Sequence, residues 1–249
     1  MWTPIRRTRA VHATRSRQVG VAVAVLACVG LAACTAAEPP SPAMTAEADT
    51  IAPYPPPESG VMDPGTYLAT GFPVPFEFTV PDGWETFDGA GVGKDDPDLP
   101  DSWNATVLFY PAQYVPTDGC AWRGTLVQVD PTAGAFVDAM TAQASTVSTP
   151  PGKVVVGDYS GFEFDHAVES DVDITDCDGG RICIYSDSAQ DCNGRSYSDV
   201  GERETYLVVD LNGDRAVIAV GQSHESMDPA LIDEARAIFD SIEFVAPDE

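Results

Sequence analysis

In FEFTV (residues 76–80) apolar and polar residues alternate with a period of two, the pattern of a strand with one buried face. TYLAT (66–70), ATVLFY (105–110) and TLVQV (125–129) predict further strands, and RICIY (181–185) a short apolar one. KVVVGDYSGFEFDHAV (153–168) predicts two strands around a glycine turn. YLVVDLNGDRAVIAV (206–220) predicts a hairpin, because Asn212-Gly213 suits the two positive-φ positions of a type I′ turn between apolar runs. The period becomes helical twice. Leu231, Ile232, Ala235, Ile238, Phe239 and Ile242 form one stripe, and Phe136, Val137 and Met140 a shorter one. Asp130-Pro131 and Asp228-Pro229 precede them, each offering a capping acid before a proline at the first helical position. The pattern runs from about Pro64 to Val245 and predicts one α+β domain over 63–249, an antiparallel sheet packed against two helices.

The chain before that domain has a different texture. Residues 1–17 carry Arg6, Arg7, Arg9, Arg15 and Arg17 and no acid, and a run of small apolar residues follows as far as Cys34. That run is too short to span a bilayer, which takes about 20 residues, and suits an export signal over 1–33. Leu31-Ala32-Ala33-Cys34 resembles the bacterial lipobox, whose cysteine receives a diacylglycerol and becomes the first residue after cleavage. Cys28 lies inside the run and leaves with the signal. Arg6-Arg7 lacks the apolar residues of a twin-arginine signal, so ordinary secretion is expected. Residues 34–62, rich in Pro, Ala, Ser and Thr, bury too little apolar surface to offset chain entropy and predict a lipid-anchored flexible tether.

Charge narrows the partners. Without residues 1–33 the chain keeps 8 basic residues against 39 acidic ones, a formal net charge of −31. Such a surface repels nucleic acid and anionic headgroups, so no nucleic-acid role is expected and membrane attachment falls to acyl chains.

Candidate chemistry is sparse. GAGVGK (89–94) has Asp88 and Asp95 where a phosphate loop wants glycine and a hydroxyl residue, and reads as a flexible loop. GDYSG (157–161) has its serine one place late for a nucleophile elbow. Beyond the signal the only histidines are His166, in a strand, and His224, between a strand and the last helix. Neither carries zinc spacing or a local catalytic signature. DVDITDCDGG (171–180) begins like a calcium loop but has Thr175 and Asp176 where an acid or amide and then glycine belong. DCNGRS (191–196) is equally partial, and DPDLPDSW (96–103) reads as a surface turn. No cofactor or metal is expected. Cys120, Cys177, Cys183 and Cys192 form an even set in an oxidising compartment and predict two disulfides with three possible connectivities. Cys183 in RICIY and Cys192 are joined by the polar return SDSAQD, which favours a local bridge between them.

GTYLA, FTVPDGWE, DGCAWRGT, GDYSGFEF, DITDCDGG, LVVDLNGDRAVIAV and AIFDSIEFV, in that order over residues 65–245, resemble a family of exported actinobacterial proteins of uncharacterised function. Within that group the domain resembles PsbP-like folds, also found in mycobacterial surface lipoproteins. The resemblance implies an antiparallel sheet covered by helices. It also implies a pairing of the cysteine before Trp-x-Gly with one in the later acidic loop, here Cys120 with Cys177, leaving Cys183 and Cys192 as an addition. It brings no catalytic residue. The expectation is therefore a lipoprotein on the outer face of the cell membrane. Its domain docks an envelope protein or envelope component and is not an enzyme. A small-molecule or cation-binding accessory protein stands second and an extracellular hydrolase third.

Overall fold

The computed structural model describes residues 51–56, 60–86, 89–99, 104–109 and 111–245. The signal segment, Cys34 and the tether up to residue 50 lie outside them. In chain order the strands are β1 (Ala52–Tyr54), β2 (Gly60–Val61), β3 (Gly65–Ala69), β4 (Phe76–Val80), β5 (Glu85–Thr86), β6 (Gly91–Lys94), β7 (Ala105–Phe109), β8 (Tyr114–Pro116) and β9 (Leu126–Gln128). Helix α1 (Ala133–Ala142) follows. Then come β10 (Thr146–Ser148), β11 (Gly152–Val156), β12 (Tyr159–Val168), β13 (Ile182–Tyr185), β14 (Arg195–Tyr197), β15 (Arg203–Asp210) and β16 (Arg215–Gln222). Helix α2 (Pro229–Asp240) and β17 (Glu243–Phe244) close the chain.

Nine strands form one antiparallel sheet in the order β10-β12-β15-β16-β7-β6-β5-β2, with β11 pairing β12 beside β10. A second sheet runs β1-β3-β4-β17, and β8-β9 and β13-β14 are separate hairpins. The large sheet is buried on both faces. Leu207, Val209 and Ile218 meet Phe76 and Phe78 of the small sheet and Leu231, Ile238 and Phe239 of α2. On the other face Tyr206, Val208 and Val217 meet Phe136, Val137 and Met140 of α1 and Ile182 and Ile184 of β13. Alternate residues of each central strand thus feed two cores, which is why β15 and β16 read as nearly continuous apolar runs. The described architecture is one α+β unit.

Local signals act as their chemistry dictates at most turns. Asn212 (φ 63) and Gly213 (φ 104) make the β15–β16 turn, closed by Leu211 N–H donating to Asp214 O at 2.8 Å. Asp228 caps α2, its Oδ1 accepting from Ala230 N–H at 2.9 Å, with Pro229 at the first helical position. At α1 the cap is Thr132, whose Oγ1 accepts from Ala135 N–H, so the helix begins past Asp130-Pro131. Arg215 explains the delay: its guanidinium donates to Asp130 O and Ala112 O and lies over the Phe136 ring, fastening this segment to β16.

Three sequence expectations change. GAGVGK supplies β6, not a flexible loop: Gly91–Gly93 are buried and bonded between β5 and β7, with Val92 in the core. The domain begins earlier than residue 63. β1 pairs in parallel with β3 (Ala52↔Tyr67, Tyr54↔Ala69), and Tyr54 is 5% exposed. The Tyr54 hydroxyl donates to Gly91 O at 2.6 Å and its ring meets Phe78 and Phe109 edge-on. Met62 is buried as well. Prolines do not prevent this, because Pro53 sits in an edge strand. The third concerns DPDLPDSW. Asp96 is buried, its carboxylate accepting from Asp228 N–H at 2.9 Å and Asp98 N–H at 3.0 Å, so it anchors the start of α2.

Candidate functional site

His166 lies on β12 opposite Ser148 of β10 and Glu204 of β15. Its ring is 1% exposed among Phe164, Tyr197 and Tyr206. Nδ1 sits 2.8 Å from Ser148 Oγ, while Nε2 is buried without a partner. Burial lowers the pKa from 6.5 to about 3, so the imidazole is neutral at physiological pH. A nucleophilic serine needs a base whose second nitrogen faces an orienting acceptor and whose charged form is stabilised. This ring offers neither. His224 lies in the segment between β16 and α2, where its carbonyl accepts from Gln222 Nε2 at 3.0 Å.

Glu204 would be the obvious third member of such a triad, but its carboxylate is engaged elsewhere. Oε1 accepts from Arg195 Nε at 2.6 Å, and Oε2 accepts from the Tyr197 hydroxyl at 2.9 Å and from the Tyr206 hydroxyl. Arg195 Nη2 also donates to Glu202 Oε2 at 2.9 Å, and Glu202 Oε1 accepts from the N–H groups of Ser198 and Asp199. Burial opposes the Arg195 charge, yet Glu204 and Glu202 outweigh it and hold its pKa above the ordinary guanidinium value. Burial, and then the Glu204 carboxylate, push Tyr197 and Tyr206 well above a free phenol. With donors and acceptors matched, the network ties the β13–β14 hairpin to β15. No local sequence signal marked it, because Arg195, Glu202 and Glu204 look like ordinary surface residues.

The structure joins Cys120 to Cys177 and Cys183 to Cys192. Trp122 packs beside the second bridge, donates Nε1–H to Asp178 O at 2.7 Å, and is flanked by Arg123 and Arg181. In the acidic loop 171–180 the carboxylates of Asp173 and Asp178 are engaged within the protein. Asp173 Oδ1 accepts from Thr175 N–H and hydroxyl, and Asp178 Oδ2 from Arg123 N–H. Asp191, opening DCNGRS, accepts from Cys192 N–H and lies 3.7 Å from Arg181. Among the described residues no group of three or more His, Cys, Asp or Glu is arranged to hold a metal ion.

An open cleft of about 600 Å³ lies where the two sheets come together at one side. One wall is β11, through Val154–Val156 and Gly157, and the other is β17 with the end of α2, through Phe239, Asp240, Ile242, Glu243 and Phe244. Leu207 and Glu163 contribute from the large sheet. Every charged residue of this lining is acidic. Arg236 stands behind it, donating to Glu163 Oε1 at 3.3 Å and resting on Phe239. Sequence reasoning missed the cleft because its walls lie some 80 residues apart and consist of ordinary strand and helix residues. Among the described residues no helix is long and apolar enough to cross a membrane.

No protein-family model matches the chain, and no curated protein matches it. Among solved structures it is similar to LpqN, described as involved in cell envelope biogenesis of Mycobacterium tuberculosis. The identity is 13% and the TM-score 0.37, covering 73% of this chain and 91% of that one. At that distance the likeness bears on neither activity nor ligand.

Proposed function

We propose that the protein is an extracytoplasmic lipoprotein, held on the outer face of the cell membrane through Cys34, whose folded unit works by docking and not by catalysis. The arginine-rich start, the short apolar run and the lipobox-like LAAC support export and lipidation. Two disulfides suit an oxidising compartment. The ordered motifs shared with exported actinobacterial proteins agree with an envelope setting. The observation that carries the docking reading is the cleft between β11 and β17. It is open and ligand-sized, and it is lined by aliphatic residues, two phenylalanines and three carboxylates, with no serine, cysteine or histidine among them. The His166 ring that contacts Ser148 is meanwhile buried and neutral.

Two measurements test this. Metabolic labelling with a fatty-acid analogue should mark the wild type and not Cys34→Ala; equal labelling would remove the anchor. A photo-crosslinking residue at Val155, 73% exposed beside the cleft, should give a dominant adduct in the cells that make the protein. The same group at Val61, 68% exposed at the opposite end of the large sheet, should not. Matching patterns from both positions would defeat the docking reading.

A further inference from the structure

We propose that the free edge of β11 takes up an extended polypeptide segment of alternating apolar and basic residues, added as a strand along the cleft. The proposal rests on the docking reading above and names its partner by chemistry.

The backbone supplies the first reason. β11 and β12 are joined by the two-residue turn Gly157-Asp158, with Gly157 at φ 58 and Val156 opposite Tyr159. In such a tight hairpin the flanking pair exchanges hydrogen bonds, and bonded and non-bonded pairs then alternate along the ladder. Val154↔Gly161 and Gly152↔Glu163 are thus bonded pairs, whereas Val155↔Ser160 and Lys153↔Phe162 are not. The N–H and C=O groups of Val155 and Lys153 therefore point away from β12. Among the described residues β11 pairs with no strand other than β12, so this row is free. β17, on the opposite wall, pairs only with β4 among those residues. Two unpaired strand edges thus border one cleft, a template for main-chain hydrogen bonding that selects a polypeptide over a sugar or a lipid.

The side chains supply the second reason. Val154 and Val156 face the core beneath the cleft, together with Phe244 and Ile242, and would pack against alternate apolar residues of an added strand. Of the charged groups of the lining, Glu163 is already held by Arg236, Asp240 and Glu243 add two further carboxylates, and the chain as a whole carries −26. An acidic or neutral segment would bring no compensating charge, whereas lysine or arginine at the mouth would face these carboxylates. The same net charge opposes edge-to-edge pairing of two copies, so the partner is a different, basic chain.

The test uses the full chain in detergent and a fluorescent peptide of sequence KVKVKVK, followed by anisotropy. Saturable binding is expected, with none for EVEVEVE. Binding should weaken about tenfold as ionic strength rises from about 0.1 M to about 1 M, where the screening length shrinks from ~10 Å to ~3 Å. Val155→Pro removes an outward N–H while sparing the bonds to β12, and should lower affinity at least about tenfold. Circular dichroism would show whether that variant keeps its fold. The peptide with alternate backbone nitrogens methylated should lose binding to the unaltered protein, which needs no variant at all. Equal binding of the methylated peptide would overturn strand addition in favour of diffuse charge attraction. Failure of KVKVKVK to bind while the Val155 cross-link persists in cells would overturn the basic-strand proposal and leave docking standing. Concentration-dependent dimers blocked by Val155→Pro would overturn it in favour of a second copy.

Discussion

Replacing His166 by asparagine should change how the stability of the fold depends on pH. Asparagine keeps an oxygen near the position of Nδ1, able to accept from Ser148 Oγ, but cannot titrate. In the wild type the folded-state pKa is about 3 against 6.5 when unfolded, because burial desolvates the charged ring. Between those values the unfolded chain binds the extra proton, so stability falls as pH drops through 6.5 and this contribution levels off below about 3. The slope is about 1.4 kcal/mol per pH unit, or about 2 kcal/mol lost between pH 8 and pH 5. With a urea m-value of about 2 kcal/mol/M, that moves the unfolding midpoint by about 1 M. Asp96, whose carboxylate is held below its usual range by the Asp228 and Asp98 N–H groups, destabilises the fold only on further acidification, and does so equally in both proteins. Urea titrations of wild type and His166→Asn with disulfides intact should therefore converge as pH falls from about 8 to about 5. Parallel midpoints across that range would refute the claim that His166 is buried and neutral.

Tyr54→Ala removes a ring wedged between Phe78 and Phe109 together with the bond to Gly91 O, and should cost about 3–5 kcal/mol by urea unfolding. An effect under about 1 kcal/mol would return this segment to the tether. Arg195→Met leaves the fully buried Glu204 without its cation and should cost about 3 kcal/mol or more; an unchanged midpoint would show that the network is dispensable. Removing Cys120–Cys177, which spans 57 residues, should cost about 4 kcal/mol in chain entropy. Removing Cys183–Cys192, which spans 9, should cost about 2.6 kcal/mol, and the reverse order in thermal unfolding would contradict the loop-length argument.

The strands at 76–80 and 206–220, the Asn212-Gly213 turn and the capped stripe of α2 were legible because their causes are local. Side-chain period, positive-φ residues and a proline at a helix start act within a few residues of themselves. The reading failed where a local signal met a stronger distant one. Arg215 clamps the backbone at Asp130 and Ala112, and the helix start moves to Thr132. Glycines at 91 and 93 suggest looseness, yet neighbouring strands claim their backbone and Val92 fills the core.

By itself the sequence determined the α+β class, the helix stripes, an arginine-rich start followed by a short apolar run, and a large excess of acidic over basic residues. Only the tertiary structure decided that Tyr54 belongs to the core, that His166 is sealed, and that Glu204 serves Arg195 and two tyrosines. It alone set β11 and β17, each paired on one edge only among the described residues, on either side of one acidic cleft. The reason is that desolvation, charge pairing and free strand edges belong to the meeting of segments far apart in the chain. A histidine, a glutamate or a strand carries the same local pattern whether its neighbours cover it or leave it open.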